Sequence, residues 1–340
     1  MAIQKSKKII LVGGGTMGSV SPLLAITKNY PADYLFIGTK FGPEKSVVEV
    51  AGLKFQAIIS GKLRRYWSFK NFVDIFKIKF AFWQSIFLLL REKPDIVLTA
   101  GSFVAVPVAY AAWMLRIPVV IHQQDIQVGL ANKLMAPVAK KITVTFEVSK
   151  NLFNTKKTTL TGNPTNVSAQ TQKDQPTIVI TGGGLGARGF NRFLSEFIPK
   201  LARDYRVHHI LGENNWDQAL ELENYQAHKF IKQGMIDLLN QADIIVSRAG
   251  LSLITEAAAL KKALVLIPIP DSHQEKNAEF FAKHNAAIMV RQDSRQIMAR
   301  YLDKLTSHPR LRQGLGENLY NLFPKNSVDN YVKVIEDILR

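Results

Sequence analysis

Residues 9–19 have the sequence IILVGGGTMGS, in which an apolar run passes directly into three consecutive glycines. The run predicts a buried β-strand, the glycines predict a tight turn that lets the backbone approach a ligand, and Ser21-Pro22 predicts a helix start. Residues 177–188, TIVITGGGLGAR, repeat this pattern. We call 13–19 the first glycine loop and 182–186 the second. Two such openings predict an α/β chain with two doubly wound, Rossmann-like domains. A turn without a ligand is the alternative interpretation of either loop.

Apolar runs alternate with helical segments on both sides of each loop, as expected for parallel sheets covered by helices. A polar, proline-interrupted segment at 163–172, NPTNVSAQTQ, predicts the linker. We therefore expect domains at 1–163 and 164–340 and leave open whether the last helix packs back on the first domain. The cleft between the domains is the expected site. The predicted strands are 9–12, 34–37, 55–59, 96–99, 119–122, 142–146, 177–181, 207–211, 243–247, 263–267 and 287–290, and the predicted helices include 190–203, 252–260 and 274–284.

Composition narrows the class of protein. With 340 residues, 47% of them hydrophobic, the chain can form two folded cores, which excludes a disordered polymer. The absence of cysteine excludes disulfides, thiolate metal sites and cysteine nucleophiles. We expect no signal peptide, because the apolar run after the basic residues 1–8 is short and enters glycines at once. We expect no transmembrane span, because Gly101, Ser102 and Pro107 interrupt the longest uncharged stretch, 96–115.

The net charge of +17 is concentrated in one half of the chain, since residues 1–160 hold 22 basic and 8 acidic side chains. Within 61–93, 8 basic residues accompany 2 acidic ones and a helical stripe of aromatic residues, which is typical either of a core or of a membrane-surface helix. Just before this helix, aromatic and basic residues share a predicted loop with little core to enter, so we expect contact with an anionic membrane. No nucleic-acid motif is present, so we expect no nucleic-acid partner. The expected membrane contacts are Arg64, Arg65, Tyr66, Trp67, Phe69 and Lys70.

Polar motifs follow three of the predicted strands. At 247–256, SRAGLSLITE, Gly250 turns the chain and a helix begins near Ser252, whose N-terminal N–H groups suit a diphosphate. Glu256 is either a capping acid or an acceptor for two sugar hydroxyls. Gln274 and Asn277 share a helix face, and their amides can donate and accept as sugar recognition needs. In HQQD, 122–125, Asp125 is either a site residue or a turn cap.

In this order, the motifs resemble those of the MurG-type UDP-N-acetylglucosamine transferases over nearly the whole chain. The resemblance implies the GT-B fold and an inverting hexosyltransferase that moves N-acetylglucosamine (GlcNAc) from UDP-GlcNAc to undecaprenyl-diphosphate-linked muramyl-peptide, converting lipid I to lipid II. It also implies a peripheral protein on the cytoplasmic face of the membrane, without a cofactor. Its role would be peptidoglycan synthesis, and through it cell wall biogenesis, cell shape, cell division and the cell cycle. The matching segments are 13–19, 101–122, 129–133, 162–164, 186–188 with Asn191, 255–256, 273–274 and 276–278.

The resemblance also implies residue roles. Glu256 would bind the ribose, Gln274 and Asn277 would hold the GlcNAc hydroxyls, and either Ile231 or Ile236 would contact uracil. The donor diphosphate and ribose would lie along Leu251, Ser252, Leu253, Ile254, Thr255 and Glu256, while Thr16, Met17 and Gly18 would face the donor sugar and the acceptor.

The chain departs from the family pattern where catalysis is expected. The histidine that ends the family's first loop is Ser19, and a serine hydroxyl is no general base near neutral pH. The asparagine after His-Glu-Gln is Asp125, the arginine after Gly-Asn-Pro-x is Asn166, and the serine and glutamine of the second loop are Gly184 and Leu185. By their positions in these motifs, Asp125, Asn166 and Gly184 are still expected to bind substrate. Ser19 and Asp125 are therefore the catalytic candidates, and we hypothesise that Asp125 supplies the missing base.

Three other functions remain as alternatives. They are a GT-B relative with another lipid acceptor, a UDP-GlcNAc epimerase that acts on the donor alone, and a degenerate UDP-sugar-binding protein at the membrane. The chain has no Asp-x-Asp motif or His/Asp ligand cluster, so we predict no metal.

Overall fold

The protein is described by a computed structural model that covers residues 6–59, 61, 69–168, 175–183, 186–231 and 233–340, with side chains omitted over 69–75. The chain forms two compact units. The first unit ends at Asn166 and includes Pro324–Arg340, and the second is Val167–Phe323. The boundary thus follows Asn166, where the sequence favoured 163/164.

Strands and helices alternate through both units. The strands are β1 (Lys8–Val12), β2 (Asp33–Thr39), β3 (Lys54–Ile58), β4 (Ile96–Thr99), β5 (Val119–Gln123), β6 (Lys141–Val144), β7 (Thr158–Leu160), β8 (Thr177–Thr181), β9 (Arg206–Ile210), β10 (Tyr225–His228), β11 (Ile244–Ser247), β12 (Ala263–Leu266) and β13 (Ile288–Met289). The α-helices are α1 (Ser21–Thr27), α2 (Glu44–Val50), α3 (Phe69–Glu92), α4 (Ala105–Met114), α5 (Leu130–Met135), α6 (Glu147–Lys150), α7 (Arg188–Ser195), α8 (Ile198–Leu201), α9 (Met235–Gln241), α10 (Leu251–Ala259), α11 (His273–Lys283), α12 (Arg295–Ser307), α13 (Pro309–Asn321) and α14 (Ser327–Leu339).

Each unit is built on one parallel sheet. The first sheet has the strand order β3-β2-β1-β4-β5-β6-β7, and the second has the order β10-β9-β8-β11-β12-β13. The order reverses beside β1 in the first unit and beside β8 in the second, which confirms the doubly wound α/β prediction. In both units a glycine loop leaves the carboxyl end of that strand, so both loops lie where the strand order changes direction.

The sheets are apolar on both faces because helices cover both. Ile9 through Val12 are fully buried, although they alternate in direction along β1. On α14, Tyr331, Val334 and Ile335 recur at helical spacing and pack in one cluster with Ile9 and Leu11. The last helix therefore belongs to the core of the first unit.

The predicted helix at 190–203 is interrupted. The chain forms α7 up to Ser195 and resumes as α8 at Ile198, with Pro199 in the first turn of the new helix. Proline lacks the N–H that would continue the α7 ladder, and its ring clashes with the preceding turn, whereas both features are tolerated in a first turn. The periodicity of the sequence continues through this break and therefore predicted a single helix.

Because several of its histidines are buried, we expect the protein to become less stable in mild acid. Burial lowers the pKa of His122, His208 and His209 from 6.5 to about 4. The unfolded chain therefore binds more protons, and stability that is present above pH 6.5 is lost as the pH falls toward 4. For the fully buried His122 alone, the free energy of unfolding should fall by about 3 kcal/mol over this range.

Urea unfolding followed from about pH 7 to pH 4.5 measures this loss. His122→Asn should reduce the dependence of the unfolding free energy on pH, and the exposed His284→Asn should leave it as in the wild type. Equal slopes for His122→Asn and the wild type would show that His122 does not carry the effect.

Candidate functional site

The first glycine loop is closed by its own backbone and by two buried side chains. The N–H of Gly13 bonds to the neighbouring strand β2 at 3.1 Å, that of Gly14 to Ser19 Oγ at 2.9 Å, and that of Gly15 to Glu44 Oε2 at 3.2 Å. A Cβ at Gly13 would lie 2.4 Å from the Ser19 carbonyl oxygen, and Gly15 has φ +80°. Both positions therefore need glycine.

Ser19 closes the loop rather than facing solvent. Its side chain is 6% exposed, and its Oγ lies 3.3 Å from Thr16 O and 3.4 Å from Gly14 O, either of which can accept its proton. Thr16 is exposed, while Met17 and Gly18 are part-buried. The accessible part of the loop is thus made by Gly15 and the residues that follow it.

Gln124 connects the end of β5 to this loop. Its Nε2 donates to Gly18 O at 2.6 Å and to Ala100 O at 3.2 Å. Gln123 Nε2 donates to the Asp125 carbonyl at 2.8 Å, which fixes the turn after the strand. Asp125, which is part-buried, directly follows the residue that bonds to the first loop.

His122 is a structural residue. It is fully buried, with Nδ1 2.8 Å from Thr143 Oγ1 and Nε2 2.9 Å from Asn163 Oδ1. Its lowered pKa keeps the ring neutral at physiological pH. This network anchors the segment that leads into the linker.

Asn166 lies apart from the first loop. Its Nδ2 donates to Ala25 O at 2.9 Å, and its Oδ1 accepts from Asn29 Nδ2 at 2.6 Å. These partners stand at the carboxyl end of α1, whereas the first loop precedes the amino end of that helix.

In the second unit, β11 leads through Gly250 into α10, as the sequence predicted. Leu251, Ile254 and Thr255 are buried, and the Thr255 hydroxyl donates to Leu251 O at 2.8 Å. The part-buried face of the helix carries Ser252, Leu253 and Glu256. Of the six consecutive residues predicted to line the donor, only Ser252, Leu253 and Glu256 have side chains that are partly accessible to a ligand. The N–H groups of the first helical turn point toward Gly250. 

The start of α11 meets this turn. Asn277 is fully buried and its Nδ2 donates to Ala249 O at 3.0 Å, so it joins α11 to the turn before α10. Gln274 is part-buried and its Oε1 accepts from Ile269 N at 3.2 Å. Because β11 and β12 are adjacent and parallel, the two predicted motifs share one edge of the second sheet.

Glu256 has the electrostatics of a site residue. Burial raises the pKa of its carboxyl group from 4.5 to about 7, so its charge changes near neutral pH. A carboxyl group with a perturbed pKa on a helix that follows the carboxyl end of a parallel strand is typical of a binding site.

Two family models cover most of the chain. Residues 9–144 match the glycosyltransferase family 28 N-terminal domain, and residues 177–318 match the family 28 C-terminal domain. A Clostridium tetani protein named UDP-N-acetylglucosamine–N-acetylmuramyl-(pentapeptide) pyrophosphoryl-undecaprenol N-acetylglucosamine transferase is 34% identical, with 97% of this chain and 98% of the relative covered. The chain belongs to glycosyltransferase family 28, in its MurG branch.

Solved structures agree with this family assignment. The crystal structure of MurG from Acinetobacter baumannii is 26% identical, with 97% of this chain and 99% of that chain covered and a TM-score of 0.73. A Neisseria meningitidis UDP-GlcNAc 2-epimerase bound to UDP-GlcNAc has a TM-score of 0.70 at 15% identity, which shows a shared fold alone. The GT-B fold predicted from the sequence is confirmed.

Within this family 28 chain, Arg248 is a site candidate that residue-type reasoning missed. Its guanidinium group donates to Ile267 O at 3.0 Å, to Pro268 O at 3.1 Å and to Gln292 Oε1 at 2.9 Å, and lies 5.0 Å from the Phe190 ring centre. Burial lowers its pKa to about 10. Among the described residues no carboxylate pairs with it, so a cation stands uncompensated beside the α10 turn. The sequence feature that could have indicated Arg248 is an arginine directly after an apolar strand.

Glu44 was also missed. It begins α2 and is fully buried against the first loop, where the sequence shows only an acid after Gly42-Pro43. Nothing in residue spacing places it beside the distant residues 13–15.

The aromatic stripe of α3 is exposed. Phe80 is 60% exposed, Trp83 58% and Phe87 71%, while Leu89 on the opposite face is buried in the first core. The described part of the stripe, from Phe76 to Phe87, is thus exposed rather than core. No helix in the described parts of the chain is long and apolar enough to cross a bilayer.

Some expected residues lie outside the described ones. They are Arg64, Arg65, Tyr66, Trp67, Gly184 and Leu185, and the side chains of Phe69 and Lys70. Ile231, just after β10, and Ile236, on α9, are both part-buried. The described residues contain no group of three or more histidine, aspartate or glutamate side chains that could hold a metal.

Proposed function

We propose that this chain transfers GlcNAc from UDP-GlcNAc to undecaprenyl-diphosphate-linked muramyl-pentapeptide, with inversion at the anomeric carbon. The observation that carries the proposal is the convergence of Glu256, Gln274 and the Arg248 turn at one edge of the second sheet. This edge lies within residues 177–318, which match the family 28 C-terminal domain, and a curated relative bears that activity in its name.

The second unit would bind the donor. The first turn of α10 offers backbone N–H groups to the diphosphate, and the Arg248 charge adds to their positive potential. Glu256 would accept hydrogen bonds from the ribose hydroxyls, and Gln274 would form hydrogen bonds with the GlcNAc hydroxyls. Asn277 donates to Ala249 O, so it would act by fixing the turn that carries these groups. These donors stabilise the charge that develops on the departing UDP.

The first unit would bind the acceptor, with Asp125 as the base. The acceptor hydroxyl oxygen attacks the anomeric carbon, the bond from that carbon to the UDP phosphate oxygen breaks, and Asp125 takes the hydroxyl proton. Thr16, Met17 and Gly18 offer the accessible face of the first loop. Ser19 keeps the loop closed through Gly14.

Incubation of the full chain with radiolabelled UDP-GlcNAc and a lipid I analogue in anionic vesicles tests the proposal. A labelled disaccharide-lipid product and UDP release that depends on the acceptor are expected. Isomerised donor without acceptor would favour the epimerase alternative, a product on another lipid would favour the first alternative, and UDP binding without turnover would favour a degenerate scaffold.

We infer that the chain attaches peripherally to the cytoplasmic face of an anionic membrane through its first unit. The stripe Phe76, Phe80, Trp83 and Phe87 forms an exposed apolar surface on α3, next to Lys77 and Lys79 on the same helix. Such a helix buries its aromatic face among acyl chains while its cations bind lipid phosphates. The predicted contacts Arg64, Arg65, Tyr66, Trp67, Phe69 and Lys70 directly precede or begin this helix and would extend the same surface.

Replacing Phe80, Trp83 and Phe87 together by serine should lower partitioning onto anionic vesicles by about tenfold or more, because each aromatic ring buries apolar area in the bilayer. Raising the salt concentration should weaken vesicle binding of the wild type as well, since the attraction between lysine and phosphate is screened. Vesicle sedimentation measures both effects. Trp216→Ser, at an exposed tryptophan of the second unit, is the matched control. Unchanged partitioning of the triple variant would remove α3 from the membrane surface.

A further inference from the structure

Trp216 is an exposed tryptophan at the carboxyl edge of the second sheet. After β9 ends at Ile210, a 3₁₀-helical segment, Glu213–Gln218, carries this residue with 45% of its surface exposed. We call Glu213–Gln218 the Trp216 turn. The other three tryptophans of the chain stand at positions 67, 83 and 113, so Trp216 is the one tryptophan of the second unit. A large ring left open at the edge where parallel sheets bind ligands is a candidate contact residue.

The Trp216 turn is held against the second glycine loop. The Asp217 carboxylate accepts a hydrogen bond from the guanidinium group of Arg188, at the start of α7, at 2.5 Å. Asn215 is buried, and a Cβ at Gly186 would lie 2.5 Å from its Nδ2. Glycine therefore allows the turn and the loop to pack closely. The neighbours of Trp216 on both sides are thus fixed beside the loop that follows β8.

The ring of Trp216 is oriented by a cation from the next strand. Lys229 directly follows β10, and its Nζ lies 5.2 Å from the centre of the Trp216 ring. Because β9 and β10 are adjacent and parallel, both residues come from the same edge of the sheet. The attraction between the ammonium group and the π electrons favours this orientation of the ring. The surface of the ring that stays accessible can stack on a planar group.

The order of the strands gives the direction in which a bound donor extends. Under the proposed function, the GlcNAc lies at Gln274, after β12, and the diphosphate lies at the first turn of α10, after β11. In the sheet, β8 and then β9 follow on the other side of β11. The nucleoside at the far end of the diphosphate is therefore directed toward β8 and β9. Two strand spacings, about 10 Å, separate β11 from β9, and a ribose with its base can span this distance.

We propose that Trp216 stacks on the uracil base of the donor. The inference rests on the proposed function for the identity of the donor, and it adds the residue that holds the base. Stacking of a nucleobase on an aromatic ring depends on the flat face of the base and not on its hydrogen-bonding edge. Trp216 therefore contributes affinity for a nucleotide over a sugar phosphate that has no base.

Calorimetric titration of the full chain with UDP and with ribose 5-diphosphate, the same ligand without its base, tests the contact. Trp216→Leu should weaken UDP binding about tenfold or more, the loss of one base–aromatic stack, and leave ribose 5-diphosphate binding unchanged. Trp216→Phe keeps a ring and should lose less affinity for UDP than the leucine variant. Trp113→Leu, at an exposed tryptophan on α4 of the first unit, is the matched control and should bind UDP as the wild type.

Tryptophan fluorescence tests the same contact without removing Trp216. In a variant in which Trp67, Trp83 and Trp113 are replaced by phenylalanine, Trp216 is the sole tryptophan. UDP should quench its emission, because the base lies against the ring, and ribose 5-diphosphate should not. This measurement remains available if Trp216→Leu fails to fold.

Three results would overturn the inference. They are equal UDP affinity in folded Trp216→Leu and the wild type, an equal loss of ribose 5-diphosphate affinity, which would give Trp216 a structural role in its turn, and emission that UDP does not change. Neither measurement involves an acceptor. A chain that shows base-dependent binding but transfers no sugar would contradict the proposed transfer and keep this inference, whereas an active transferase without base-dependent effects at Trp216 would contradict this inference alone.

Discussion

Replacing Glu256 by alanine is expected to weaken binding of UDP and UDP-GlcNAc by about tenfold to a hundredfold, the loss of a charged hydrogen-bonding group. Glu256 is part-buried one turn into α10, where a carboxylate can accept both ribose hydroxyls. Calorimetric titration with UDP measures the loss. Glu279→Ala, on the exposed surface of α11, is the control and should bind as the wild type.

The pH dependence of binding makes this prediction specific. Because burial raises the Glu256 pKa to about 7, the better acceptor, the carboxylate, becomes populated as the pH rises through neutrality. The dissociation constant for UDP should therefore fall from about pH 6 to pH 8 in the wild type and stay level in Glu256→Gln. The 2′,3′-dideoxy analogue of UDP should bind wild type and Glu256→Ala equally. If Glu256→Ala lost as much affinity for the analogue as for UDP, Glu256 would act by capping the helix and not by binding the ribose.

Asp125→Asn is expected to lower kcat by about a hundredfold to ten-thousandfold, the usual contribution of a general base. The substitution keeps the size of the side chain and its hydrogen-bonding capacity and removes the ability to take the acceptor proton. KM for either substrate should change little, because the loss lies in the transition state. Initial rates with a lipid I analogue give both constants.

Ser19→Ala provides the matched comparison at the position where the family has histidine. Its hydroxyl accepts from Gly14 N, so its removal should disturb the loop and raise the acceptor KM more than it lowers kcat. Glu147→Gln, an exposed acid of the same unit, should leave both constants unchanged. Full kcat in Asp125→Asn would exclude Asp125 as the base.

Local sequence features predicted much of the fold. Apolar runs followed by glycine clusters at 9–15 and 177–184 determine a strand and its turn from neighbouring residues, so the two doubly wound sheets follow directly. The turn at Gly250 and the helix starts at Leu251 and His273 are equally local, and they place the predicted donor residues at the carboxyl edge of the second sheet. Short elements such as β7 and β10 carry too few residues for a clear period and were missed.

What the sequence by itself determined is the order of strands, turns and helices, and the residue types at the strand ends, because these depend on contacts between near neighbours. The tertiary structure alone decided which faces are covered. Residue spacing gives both α3 and α14 an apolar stripe, yet Tyr331 of α14 is buried in the first core while Phe87 of α3 is 71% exposed, because α3 packs in the core through its opposite face. It also decided that Glu44 accepts from the N–H group of Gly15, since this hydrogen bond depends on the pairing of β1 with β2 and not on the spacing of the two residues in the chain.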